Sequence, residues 1–142
     1  MTGVQTCALP ICLIYFVHEW QPKFDEAALL HDPEMLRVVT AINRQIAELA
    51  PVLNSPTVSD AVQVASSDAQ IPVAAMLKRQ RGASYLFAVA MRSGDTTATF
   101  KLKGLAGDKA VEVLGEDRGL SARGGAFRDT FTAWAVHCYR IK

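Results

Sequence analysis

His18-Glu19-Trp20 places an imidazole, a carboxylate and an indole side by side, directly after the apolar run Leu13-Ile14-Tyr15-Phe16-Val17. An indole offers a flat apolar face and an N–H donor, a carboxylate accepts from a hydroxyl, and an imidazole orients a neighbour. The plainer readings are an indole packed on its surroundings, a solvated loop carboxylate and a histidine hydrogen-bonded into structure. Near the other end, Trp134, His137 and Tyr139 suggest an aromatic platform. Strand alternation, however, sets Trp134 on the opposite face from His137 and Tyr139, so packing in a core or an interface is expected. Cys138 lies in the same apolar stretch and reads as a small buried hydrophobe.

The elements that must position these residues fall into two unlike pieces. In residues 13–56 the opening run is apolar on both faces and rich in β-formers, as a strand buried in a parallel sheet would be. The polar and aromatic cluster ends it, Pro22 takes the chain out of the sheet, and a helical turn is expected at residues 25–30. The clearest helix follows over residues 32–50. Asp32 is a good N-cap, Pro33 fits the first helical position, and Glu34 complements the positive helix end. Met35, Val38, Val39, Ile42, Ile46 and Leu49 form one face at helical spacing, a stripe expected in a core and without chemistry of its own. Pro51 and Asn54-Ser55-Pro56 are expected to stop the helix.

In residues 57–142 the period changes to alternation. Ala98, Phe100 and Leu102 face one way, Thr97, Thr99, Lys101 and Lys103 the other, and Val111 and Val113 flank Glu112. Residues 85–91 are apolar on both faces, as a central strand would be. Gly82, Ser93-Gly94-Asp95, Gly107-Asp108 and Gly124-Gly125 punctuate these runs. Short strands with regular turn signals predict an antiparallel β-sandwich, so the whole chain reads as α+β.

With 142 residues, 50% hydrophobic, 20% charged and a net charge of +1, the chain has an ordinary globular composition. That balance gives no electrostatic footprint for nucleic acid or an anionic membrane, and no apolar run approaches the roughly 20 residues of a membrane span. Lys78-Arg79-Gln80-Arg81 and Arg123-Gly124-Gly125 are the basic clusters, each at an expected turn, where a solvated loop is the first reading.

Met1 to Ile11 resembles the in-frame translation of a short-read sequencing adapter begun at a GTG codon, with Cys12 spanning the junction. The stretch carries no charge, unlike the start of a secretory signal. Residues 1–12 are therefore expected to be artefact, and the native N-terminus and any targeting signal to lie upstream of the junction. Of three cysteines only Cys138 then remains, too few for a disulfide framework or a metal site.

A lone strand–helix unit cannot form a parallel sheet, which needs parallel neighbours and helical cover. The order of elements resembles the end of a (β/α)8-barrel glycoside hydrolase with its C-terminal sandwich. The likeness runs through Leu13-Ile14-Tyr15-Phe16-Val17-His18, Ala41-Ile42-Asn43-Arg44-Gln45-Ile46 and Leu49-Ala50-Pro51-Val52-Leu53-Asn54-Ser55-Pro56. It continues in Val111-Glu112-Val113-Leu114-Gly115-Glu116, Phe127-Arg128-Asp129 and Val136-His137-Cys138-Tyr139-Arg140-Ile141. The resemblance implies that residues 13–17 are the eighth barrel strand and residues 32–50 the eighth helix. His18, Glu19 and Trp20 then stand at the C-terminal rim, where barrel active sites lie, and bind a carbohydrate substrate. It further implies hydrolysis by two carboxylates, without metal or organic cofactor. Those carboxylates belong to the fourth and seventh strands, upstream of this chain, which would by itself be inactive. Two alternatives stand beside this: a non-catalytic carbohydrate-binding sandwich, and a structural module that braces a catalytic neighbour.

Overall fold

The computed structural model describes Tyr15 and residues 17–142. The chain divides into two units, the first ending at Ala50 and the second running Pro51–Lys142.

In the first unit, Leu13, Ile14 and Phe16 of the expected opening strand lie outside the described residues. Tyr15 and Val17 are described, and neither is in a strand. That departs from expectation for a physical reason: strand geometry is held by a hydrogen-bonded neighbour, and no described strand pairs there. The Tyr15 hydroxyl instead donates to Asn43 Oδ1 at 2.8 Å.

A one-turn helix, α1 (Ala28–His31), falls close to the expected turn, and α2 (Pro33–Leu53) follows. Asp32 caps α2 as its residue type predicts. Its Oδ1 accepts from the Met35 N–H and its carbonyl from the Leu36 N–H, both at 2.9 Å. The helix does not stop at Pro51 but runs through it to Leu53. Proline's fixed φ is itself helical, so the last turn carries it at the cost of the one N–H it lacks.

The end of that turn is received within the second unit. Lys78 is fully buried, and its ammonium donates to the Leu53 carbonyl at 2.8 Å and the Ser55 carbonyl at 2.6 Å. Val52 is buried and Leu53 half-buried. The segment 51–56, by composition a linker, is thus bonded into the second unit.

The second unit is eight antiparallel strands: β1 (Val62–Ser66), β2 (Val73–Gln80), β3 (Ala83–Ala90), β4 (Thr96–Leu102), β5 (Lys109–Val113), β6 (Arg118–Ala122), β7 (Ala126–Phe131) and β8 (Val136–Ile141). They form a three-stranded sheet, β1-β4-β7, and a five-stranded sheet, β2-β3-β8-β5-β6. The alternation read from the sequence holds: Ala98, Phe100 and Leu102 are buried along β4, and Val111 and Val113 along β5. The central position expected for residues 85–91 is that of β3, flanked by β2 and β8.

One core serves both sheets. Phe100 and Phe127 of the smaller sheet meet Tyr139 of the larger, with ring centroids 5.7 and 5.1 Å apart. Leu77, Leu86 and Ile141 join the same cluster, an arrangement compatible with a β-sandwich. The turn before β7 needs a glycine. A Cβ on Gly125, at φ +80°, would stand 3.0 Å from the Leu105 carbonyl oxygen.

Candidate functional site

The loop carrying His18, Glu19 and Trp20 is closed by a single antiparallel bridge. Glu19 and Asp25 exchange N–H···O=C bonds in both directions, each 2.9 Å. The bridge brings Phe24 back alongside the cluster. Trp20 and Phe24 have centroids 4.9 Å apart at 44°, and His18 lies 5.9 Å from Phe24. Trp20 is 68% exposed, so its indole is offered to solvent and not packed away. Phe24 is the member of this group that sequence reading missed. Its only signal was a large apolar residue placed in a loop.

Asp25 anchors the far side of the loop. One carboxylate oxygen accepts from the Ala27 N–H at 2.9 Å, and the other lies 2.6 Å from His31 Nδ1. The bond from His31, helped by the one from Ala27, holds the Asp25 carboxyl below its ordinary range. Glu19 contributes mainly backbone to the loop, and its side chain is exposed. Chemically, the structure brings together two rings beside an imidazole. That is a stacking surface with hydrogen-bonding groups at its edge.

A second constellation lies in the sandwich, formed by residues that no local spacing brings together. Arg118 on β6 donates from both terminal guanidinium nitrogens to Asp129 on β7, Nη1 at 2.9 Å and Nη2 at 2.8 Å. Its Nε donates to Glu116 at 2.8 Å. The Tyr139 hydroxyl donates to Asp129 at 2.8 Å, and His137 Nδ1 lies 2.5 Å from Glu116 Oε1. Burial pushes the Asp129 carboxyl up, but the bonds from Arg118, Tyr139 and the Thr130 N–H outweigh it, leaving the group below its usual range. Glu116 behaves likewise: burial raises it, and His137 and Arg118 together hold it down.

This network has the residue types of an acid–base site but not the freedom. His137 Nε2 is taken up by the Thr130 carbonyl at 3.2 Å, and Arg118 is saturated by two carboxylates. Its role is to fasten β6 and β7, which are edge strands of different sheets.

Trp134 departs from the packing expected of it. It precedes β8, adopts φ +60° in the turn closed by the Ala135 N–H on the Thr132 carbonyl, and is 61% exposed. His137 and Tyr139 point inward on β8, the latter fully buried. Cys138 is half-buried on the other face, and burial, then the charge of Glu116, pushes its thiol up.

No family model matches the chain, and no curated protein matches it. Among the described residues no group of His, Cys, Asp and Glu is placed to hold a metal, and no helix is long and apolar enough to cross a membrane.

Proposed function

We propose that the chain is the C-terminal part of a glycoside hydrolase: the last strand–helix unit of a (β/α)8 barrel, followed by the sandwich. The observation that carries this reading is the incompletely covered stripe of α2. Val39, Ile46 and Leu49 are half-buried, while Met35, Val38 and Ile42 are written at the same core-facing spacing and yet stand exposed. An N-capped helix with such a stripe is left partly uncovered when elements it was selected to pack against are elsewhere. A barrel would supply them.

On this reading Trp20, with Phe24, forms an aromatic platform at the barrel rim. An indole and a phenyl ring in contact present the apolar surface on which a sugar ring stacks, and His18 and Glu19 supply hydrogen bonds to its hydroxyls. The two carboxylates that cleave the glycosidic bond stand on upstream strands, and no metal or organic cofactor takes part. The second reading, a non-catalytic carbohydrate-binding or structural module, is favoured by the closed core of the second unit, which needs nothing from outside.

The genomic reading frame upstream of Leu13 separates the two. A barrel-sized extension of roughly 200 residues with two strand-end carboxylates is the expected result. A frame that opens near Leu13 removes the hydrolase. In parallel, the purified chain should turn over no aryl glycoside. Turnover abolished by Glu19→Gln would overturn the assignment of catalysis to upstream residues.

A further inference from the structure

One basic cluster does more than decorate a turn. The β2–β3 hairpin closes through Arg81 and Gly82, at φ +48° and +79°, the left-handed pair that a two-residue loop of this kind requires. This loop faces the turn after β4 across a cavity of about 410 Å³. The apolar part of the lining is Leu77, Ala83 and Leu102, which are buried, and Leu105, which is half-buried. Three cations line the same space: Arg79, Arg81 and Lys103.

Arg79 reaches across the cavity. Its Nη2 lies 4.0 Å from where a Cβ on Gly104 would stand, beside Lys103. The three side chains are exposed, so water and salt moderate their repulsion, and no carboxylate lines the cavity to compete with an anion for them. Among the described residues none of the three takes part in an ion pair, whereas Arg118 and Arg140 both do. The polar remainder of the lining, Gln80 and Ser84, supplies neutral hydrogen-bonding groups.

We propose that this cavity binds a small ligand through an oxyanion: a sulfate or phosphate group, or the carboxylate of an acidic sugar. Guanidinium groups pair with such anions through two parallel N–H···O bonds, and the ammonium of Lys103 adds a movable donor. The site belongs to the sandwich alone and is independent of the hydrolase reading.

The test is a titration of the full chain, followed by backbone amide NMR, with inorganic sulfate, inorganic phosphate, glucuronate and neutral glucose. Saturable shifts at Gly82, Ser84 and Gly104 with at least one anion, and none with glucose, are expected. Affinity should fall as ionic strength rises. R79Q/R81Q and, separately, K103Q should each weaken binding roughly tenfold or more, the scale of one lost charge-assisted bond. All three side chains are exposed, so the variants keep the fold and the remaining spectrum stays in place. Preference for glucuronate assigns a uronic acid, and preference for sulfate or phosphate assigns an ester. No shift with any anion, equal response to glucose, or undiminished affinity in both variants overturns the proposal.

Discussion

The two units draw on the same apolar residue types and use them differently. Along α2, Met35 and Ile42 are 50% and 43% exposed, although their spacing is that of a core face. In the sandwich, Leu86, Phe100 and Tyr139 are completely buried. Amphipathic patterning therefore makes an element, and only a partner makes a core. The helix satisfies most of its own backbone and its own cap, so it tolerates partial cover, whereas every ladder bond of a strand must come from a neighbour. This is why the helix of the first unit is present while Tyr15 and Val17 sit in no ladder.

The largest break in that comparison should come from the centre of the sandwich. Phe100 touches Phe127, Phe131 and Tyr139 across both sheets. Phe100→Ala should lower stability by about 3–5 kcal/mol, read from the denaturant midpoint. A loss below about 1 kcal/mol would mean that the two sheets do not depend on a shared core.

The ionic fastening between β6 and β7 comes next. Asp129 and Glu116 are both held below their ordinary range in the fold, so the stability they contribute is complete above the unfolded values near pH 4. It is lost as pH falls through the lowered folded values. Acid titration of the thermal midpoint should show that decline, and Asp129→Asn should flatten it while costing about 2–3 kcal/mol at neutral pH. A variant with the parent's acid profile would leave the network no energetic role.

The smallest effect sharpens the contrast most. Ile42→Ser on the exposed stripe should change stability by no more than about 0.5 kcal/mol, and amide exchange in the sandwich should be unaltered. A cost above about 1 kcal/mol would show that the stripe has cover in solution.

Periodicity made much of the second unit legible. The alternation of β4 and β5 and the central place of β3 follow from residues 85–113, because a buried face imposes period two. Asp32-Pro33 marked the helix start for the same kind of local reason. What was hidden depends on meetings between residues distant in the chain. Arg118 finds Asp129 and His137 finds Glu116 only after two sheets assemble, and no local spacing announces either pair. Trp20 was legible as an indole in a loop, but its pairing with Phe24 required the Glu19–Asp25 bridge. Trp134 was misplaced because the alternation was extended past the true start of β8 at Val136.

Lys78 has a practical consequence for anyone who would cut this chain. A boundary drawn where the period changes, at residue 57, separates its ammonium from both carbonyls that receive it, at Leu53 and Ser55. A recombinant piece begun there would enclose a positive charge without its oxygens, at a penalty on the order of 3 kcal/mol. Begun at Pro51, the piece keeps both. The seam of the molecule is set by one lysine's demand for oxygen, several residues before the place where composition would put it.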